Sequence, residues 1–225
     1  CSSAASDVYK RQILVSAIVL ISSISFGLIT NSRFLLILCI YLFLMTLYSL
    51  IIKKVFLVDI ISIAIGYMIR VYGGAIIVVN SMDETISISI WLILCTGFAS
   101  LFVLSIKRFS EFTNDKLTSR SSLSGNKSKL LYNSINLNEL LTYISYSFYC
   151  ISINFSSIFS ANTPSDLSLL LTLPFVILGM RRFKKDSLNS SYGDQPEEII
   201  FKSKFIILIF FSWIIISSLI IYVRN

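Results

Sequence analysis

Two cations and a carboxylate end the fourth apolar run of the sequence, in the segment Lys107-Arg-Phe-Ser-Glu111. Lysine and arginine side chains bind phosphate oxygens, and a nearby carboxylate can take part in holding Mg²⁺. The segment therefore suits chemistry on a phosphate ester or a diphosphate. The simpler alternative is an i,i+4 ion pair between Lys107 and Glu111, which stabilises a helix by about 0.3 kcal/mol.

A second set of candidate residues ends the second apolar run, in the segment Tyr48-Ser-Leu-Ile-Ile-Lys53. Lys53 is either an anchor at the membrane surface or a cation that meets an anionic substrate at the mouth of a cavity. The spacing alone does not separate these two roles.

Asp59 and Arg70 lie inside the third apolar run, where an ionised side chain costs about 2.5–3.5 kcal/mol at the bilayer centre. On a helix they share a face to within about 20°, but about 16 Å of helix separates their backbones. We therefore expect no direct salt bridge, and each needs a partner from another helix or from a ligand. Gly66 and Gly73 lie near the same face and allow close approach of a helix or a substrate. The pair predicts either structural contacts with other helices or a polar substrate cavity.

The composition excludes several kinds of site. The 225 residues include no histidine, which removes histidine general bases, His-ligated zinc, haem sites and Ser-His-Asp triads. Cys39, Cys95 and Cys150 lie in separate apolar runs, and we expect small buried hydrophobic residues there and not disulfides or metal thiolates. The net charge is +7, but the charges lie between apolar runs, so we expect no nucleic-acid partner.

The elements that must position these residues are membrane-spanning helices. The mean hydropathy is +0.81 and 14% of residues are charged, against about 25% in soluble domains. The apolar runs are long and continuous, and a backbone in lipid satisfies its hydrogen bonds as helices. The sequence predicts an all-α, polytopic transmembrane helical bundle. Seven spans are predicted, at about 13–31, 34–52, 55–79, 87–106, 136–160, 165–180 and 204–223.

Residues 1–12 form a segment of a different kind. Their sequence, CSSAASDVYKRQ, resembles translated sequencing-adapter ends and shows neither an initiator methionine nor signal-peptide order. We expect this segment to be non-native, so that the transmembrane domain covers residues 13–225 and the natural N-terminus is missing.

The basic residues are concentrated in alternate connections between the predicted spans. The connections after the second, fourth and sixth spans hold most of the 19 basic residues, whereas the connection at 80–86 carries Asp83 and Glu84. The positive-inside rule therefore places the three basic connections in the cytoplasm. Any water-soluble substrate is expected on this face.

A set of short elements occurs in a fixed order along residues 13–225. The set is Tyr48-Ser49, Lys53, Asp59, Gly66, Arg70, Gly74, Ser89, Trp91, Lys107-Arg108, Glu111, Arg182-Phe183 and Pro196-Glu197-Glu198. Each element is unspecific by itself, but their order and spacing together are fairly specific. In this order they resemble the UbiA superfamily of intramembrane transferases, and within it most closely the decaprenyl-phosphate phosphoribosyltransferases.

The resemblance implies a nine-helix bundle, of which about seven helices are present. It implies transfer of a 5-phosphoribosyl group from phosphoribosyl diphosphate to a polyprenyl phosphate, with Mg²⁺ neutralising the diphosphate that leaves. The lipid tail would lie among the helices of a bacterial-type cell membrane, and the chemistry would occur at the cytoplasmic face. The product would supply lipid-linked pentose for cell-envelope glycans. The oligomeric state is left open.

The resemblance also implies roles for individual residues. Asp59, Lys107 and Glu111 are the expected catalytic residues. Asp59 and Glu111 are the candidate Mg²⁺ ligands, with orientation of a cation as the alternative for Asp59 and contact with the ribose as the alternative for Glu111. The expected substrate contacts are Tyr48, Lys53, Arg70, Arg108 and Arg182.

The sequence departs from the family pattern in two places. The Asn-Asp-x-x-Asp motif that ligates Mg²⁺ in the family should lie upstream of residue 13 and is absent, so we expect the 225-residue chain by itself to be inactive. Ser203 stands where the family usually has an aspartate. Two other functions stay open, an aromatic or quinone-type prenyltransferase of the same superfamily and a membrane transporter in which Asp59 and Arg70 line a path.

Overall fold

The computed structural model describes residues 2–55, 57–81, 88–116, 124–158, 167–189 and 195–224. Their backbone forms eight α-helices and contains no strand, so the predicted all-α bundle is confirmed. Two 3₁₀ segments, Ile52–Lys54 and Leu167–Thr172, precede the third and sixth helices. The helices are α1 (Ser2–Thr30), α2 (Ser32–Leu50), α3 (Val58–Ser81), α4 (Ile90–Lys116), α5 (Ser124–Ile158), α6 (Leu173–Asn189), α7 (Pro196–Lys202) and α8 (Lys204–Arg224).

Five of the described helices are long and apolar enough to cross a membrane. They contain the candidate spans Lys10–Ile29, Ser32–Leu50, Val58–Val78, Ile90–Thr113 and Lys204–Val223. These agree with five of the seven predicted spans. α1 also includes most of residues 1–12, but a helical conformation does not test their origin, so that interpretation stays a prediction.

The two other predicted spans, 136–160 and 165–180, take a different form. α5 has 35 residues and begins at Ser124, and it buries polar side chains such as Asn138 and Thr142. α6 has 17 residues, and its second half contains the sequence Arg-Arg-Phe-Lys-Lys. Polar side chains in α5 and charges in α6 lower the apolarity on which the span predictions depended. The predicted connection 107–135 is also shorter than expected, because α4 continues to Lys116.

The chain divides into two units, the first of which is Cys1–Lys54 with Ile69–Ile88. Within it α1 packs on α2, where the rings of Phe26 and Phe34 meet edge to face with centroids 6.3 Å apart. Gly73 of α3 lies against α2, because a Cβ at this position would be 3.3 Å from Cγ2 of Ile37. The prediction that Gly73 permits close helix approach is confirmed.

The second unit comprises Val55–Met68 with Ser89–Asn225. α4 packs along α5, and α6 packs against α4, α5 and α8. The main core cluster of the unit joins Phe102, Ile106, Ile135, Phe183, Ile199 and Ile206. Ile106 is fully buried, and Arg108 lies about 160° around the helix from it. The packing of the core thus turns the charged end of α4 away from the apolar centre.

Candidate functional site

An ion cluster of three residues forms between the start of α3 and the end of α4, within the second unit. The Nη2 atom of Arg108 donates to Oδ2 of Asp59, and its Nη1 atom donates to Oε2 of Glu111 at 2.6 Å. The Asp59 side chain is 6% exposed, against 36% for Arg108 and 31% for Glu111. We call these three residues the ion triad. Within it, the guanidinium of Arg108 compensates the charge that Asp59 brings into an apolar helix.

The position of Asp59 follows from the turn that precedes α3. The Asp59 amide donates to the carbonyl oxygen of Val55 at 3.3 Å, which closes the turn. Leu57 within this turn has φ 70°, a left-handed conformation that costs a residue with a Cβ about 1–2 kcal/mol. The turn puts Asp59 in the first turn of α3, where the partial positive charge of the helix N-terminus favours a carboxylate.

The predicted pair of Lys107 with Glu111 takes a different form. Glu111 is bound by Arg108 at i,i+3 and not by Lys107 at i,i+4. Lys107 is half-buried, and it has no ion pair among the residues that the structure describes. The Lys-Arg…Glu segment thus contains one guanidinium held by two carboxylates and one ammonium group available to a ligand.

A large cavity lies in the second unit, and its lining does not include the residues of the ion triad. Its volume is about 1100 Å³, and side chains of α3, α4, α5, α6 and α8 line it. Most of the lining is apolar, and it includes the aromatic rings of Tyr67, Tyr146, Tyr149 and Trp213. Inside it, Nε1 of Trp213 donates to the Tyr146 hydroxyl at 3.0 Å, and that hydroxyl is 2.6 Å from Oγ1 of Thr172. The cavity suits an apolar or aromatic ligand of considerable length.

The geometry of α4 connects the cavity with the cations. The α4 residues that line the cavity include Thr96, Ala99, Ser100 and Val103. Lys107 follows Val103 by four residues, so it lies on the same face of the helix about 6 Å further along the axis. An elongated ligand in the cavity could therefore reach Lys107 with its head group.

Three predicted substrate contacts belong to the first unit. Tyr48 is half-buried, and Lys53 is exposed. The Nε atom of Arg70 donates to the Tyr41 hydroxyl at 3.1 Å, and the guanidinium also lies over the Tyr41 ring at 4.9 Å. The expectation that Arg70 has a partner on another helix is confirmed, because Tyr41 is in α2. Their roles as substrate contacts stay predictions.

Arg182 has partners of its own at the junction of α6, α7 and α8. Its Nε donates to Oδ2 of Asp186 at 3.0 Å, and its guanidinium lies 5.6 Å from the ring centroid of Phe205. The hydroxyl of Ser203 donates to the same Asp186 oxygen at 3.0 Å. Asp186 thus accepts from both Arg182 and Ser203. The described contacts of Arg182 are thus with this junction and not with the ion triad.

Several other residues of the resemblance make structural contacts. The hydroxyl groups of Ser89 and Ser152 are 3.3 Å apart, and the rings of Trp91 and Phe148 stack at 4.5 Å. Ser89 directly precedes α4 and Trp91 is in its first turn, so both contacts connect the start of α4 with α5. Glu198 pairs with Lys202 at 2.5 Å within α7, and the side chain of Glu197 lies outside the described residues.

A buried ion pair between α5 and α6 was missed by the reasoning from sequence. Nζ of Lys184 lies 2.5 Å from Oε2 of Glu139 and donates to Oδ1 of Asn136 at 2.6 Å. The Tyr143 hydroxyl donates to the other oxygen of Glu139 at 2.8 Å. The Glu139 side chain is 10% exposed. A glutamate inside the predicted span 136–160 was a signal of the same kind as Asp59 and could have revealed it.

The donors near the ion triad bear on Mg²⁺, the ion that the resemblance implies. No group of three or more acidic, cysteine or histidine side chains forms among the described residues. Both candidate ligands, Asp59 and Glu111, are bound by Arg108, and a divalent cation there would lie beside a like charge. The described residues in this arrangement do not fit a resident Mg²⁺ ion, and the cofactor stays a prediction.

Fold and site together define a class, that of α-helical membrane proteins with an ion cluster and an apolar cavity. No protein-family model matches the chain, and no curated protein matches it either.

Proposed function

We propose that the protein is a transferase that joins a 5-phosphoribosyl group to a polyprenyl phosphate, with phosphoribosyl diphosphate as the donor. The identities of donor and acceptor rest on the resemblance to the UbiA superfamily. The observation that carries the proposal is the position of Lys107, one helical turn beyond a cavity of about 1100 Å³ on the same face of α4. A lipid phosphate has both parts that this arrangement suits, an apolar chain and an anionic head.

In this proposal the cations act on phosphate groups. An oxygen of the acceptor phosphate forms a bond to C1 of the ribose while the bond from C1 to the diphosphate breaks, and the electron pair leaves with the diphosphate. Lys107 and the remaining donors of Arg108 would stabilise the negative charge that develops on the leaving group. The lipid-linked pentose would serve cell-envelope glycan synthesis at the cytoplasmic face of a bacterial-type cell membrane.

The proposal is tested by measuring diphosphate release from phosphoribosyl diphosphate and a polyprenyl phosphate in nanodiscs, over a range of Mg²⁺ concentrations. Both the 225-residue chain and the product of its whole gene, whatever its length, are assayed. In an active protein Lys107→Ala should lower the rate by about 100-fold, as removal of one stabilising donor does in other enzymes. Lys185→Ala is the matched control, because Lys185 is an exposed lysine of α6. Equal rates for Lys107→Ala and wild type would refute the assigned role.

A second candidate is the aromatic or quinone-type prenyltransferase. The observation that favours it is the set of aromatic rings in the cavity wall, because ring faces stabilise cations such as an allylic carbocation. The two candidates differ in their donor. Diphosphate release from a prenyl diphosphate with an aromatic acceptor, and none from phosphoribosyl diphosphate, would establish the second candidate.

A further inference from the structure

We infer that Asp59 and Glu111 hold Arg108 as an oriented anion-binding group and are not ligands of Mg²⁺. The inference deepens the proposed function, on which it rests for the identity of the anion as a diphosphate. It makes Asp59 and Glu111 positioning residues that act through Arg108.

The geometry of the ion triad supports this role. Each terminal nitrogen of the Arg108 guanidinium donates to a different carboxylate, so the plane of the group is fixed at two points. A guanidinium has five N–H donors, and the two described bonds leave the others for a further acceptor. A planar group with fixed orientation and remaining donors suits a phosphate.

The burial pattern supports it as well. Asp59 is nearly inaccessible with 6% of its side chain exposed, whereas Arg108 is 36% exposed. A ligand from outside therefore meets the guanidinium before it meets the Asp59 carboxylate. Mg²⁺ retains several water molecules in most protein sites, and these have little room beside so buried a carboxylate.

The charges of this region divide the work between two cations. Asp59 and Glu111 are both paired with Arg108, so the guanidinium keeps its place without a ligand. Lys107 has no described ion pair, so it is the group that attracts an anion. Lys107 and Arg108 point about 100° apart around α4, but both side chains are long and flexible enough for their cationic groups to reach one diphosphate.

The test measures binding of inorganic diphosphate and, separately, of Mn²⁺ as a magnetic substitute for Mg²⁺. The protein is the full 225-residue chain in nanodiscs, and diphosphate binding is measured by calorimetry in the presence of a chelator. We expect Asp59→Asn and Glu111→Gln each to weaken diphosphate binding by about tenfold. An Arg108 side chain that is no longer held in place would lose about one charge-assisted hydrogen bond to the diphosphate. Mn²⁺ binding, measured by electron paramagnetic resonance, should not change.

Two further variants separate an effect through Arg108 from a general loss of structure. Asp59→Asn combined with Arg108→Gln should bind diphosphate no more weakly than Arg108→Gln alone, because Asp59 acts through Arg108. Glu139→Gln is the matched control, since it removes one partner of another buried ion pair in the same unit. It should lower stability and leave diphosphate affinity unchanged.

Three results would overturn the inference. Loss of Mn²⁺ binding in Asp59→Asn or Glu111→Gln would show that the carboxylates are metal ligands. Unchanged diphosphate affinity in both variants would show a purely structural ion triad. Equal weakening by Glu139→Gln would show that diphosphate affinity merely follows stability. If Asp59→Asn does not fold, Glu111→Gln decides the outcome, because Glu111 is 31% exposed.

The binding readout keeps this inference separate from the proposed function. Diphosphate binding that depends on Asp59, without any phosphoribosyl transfer by the product of the whole gene, would refute the function and leave the inference standing. Transfer activity together with unchanged diphosphate affinity in Asp59→Asn and Glu111→Gln would refute the inference and leave the function standing.

Discussion

Replacement of Arg108 by methionine removes the cation that compensates two carboxylates while keeping a long apolar side chain. Asp59 is then left as a buried carboxylate, with only 6% of its side chain exposed. Removing one partner of a fully buried ion pair costs about 3–5 kcal/mol. Glu111 and Arg108 are about one-third exposed, so solvent reduces the loss, and we expect about 2–3 kcal/mol for Arg108→Met.

The assay is thermal unfolding in nanodiscs. In a chain of this size each kcal/mol shifts the melting temperature by about 2–4 °C, so we expect a decrease of about 5–10 °C. Adding Asp59→Asn should recover much of this decrease, because the uncompensated buried charge is gone. Lys107→Met is the control, since no ion pair of Lys107 is among those described. It should melt close to wild type.

The reasoning is wrong if Arg108→Met melts at or above the wild-type temperature. That result would mean that Asp59 gains no net stability from Arg108, as occurs when desolvation of a pair outweighs its attraction. It is also wrong if Asp59→Asn adds its own full loss to that of Arg108→Met. Additive losses would mean that the two side chains act independently.

Two further variants test the cavity and the second ion pair. Ser100→Phe fills part of the cavity from α4. It should lower the affinity for a polyprenyl phosphate by about tenfold and leave the affinity for diphosphate unchanged. Leu208→Phe is the control, because Leu208 is 63% exposed on α8, and it should change neither affinity. Glu139→Gln should lower the melting temperature by about 5–10 °C because Lys184 loses its carboxylate, and Lys184→Met in the same chain should restore part of the loss. Equal lipid affinity in Ser100→Phe, or an unchanged melting temperature in Glu139→Gln, would contradict these expectations.

The features that depend on local sequence pattern, the fold class and the membrane spans, could be predicted from the sequence. Long apolar runs indicated the all-α class and five spans that the helices confirm. The need of Asp59 for a partner, from another helix or from a ligand, also followed from its position in an apolar run, and the structure gives it Arg108 of α4 as a partner. Its identity could not be predicted, because the two residues are 49 positions apart and meet only through tertiary packing.

Other parts of the site required the packed structure for a different reason. Glu111 had two basic neighbours at suitable helical spacing, and periodicity alone does not choose between Lys107 at i,i+4 and Arg108 at i,i+3. The contact with Asp59 turns the guanidinium toward the carboxylates, and that contact decides the choice. The cavity is formed by five helices, so no single segment of sequence indicates it.

α4 carries core residues, cavity-lining residues and charged residues on different faces and successive turns. One side of the helix is fixed by the buried side chains of Phe102 and Ile106, and the face with Val103 borders the cavity. Lys107 continues that face beyond the last cavity-lining turn, where the helix approaches its polar end. A free phosphate would leave the cavity without an apolar ligand, and a plain hydrocarbon would leave Lys107 without an anion. A lipid phosphate satisfies both requirements, which is why the proposed substrate is amphiphilic.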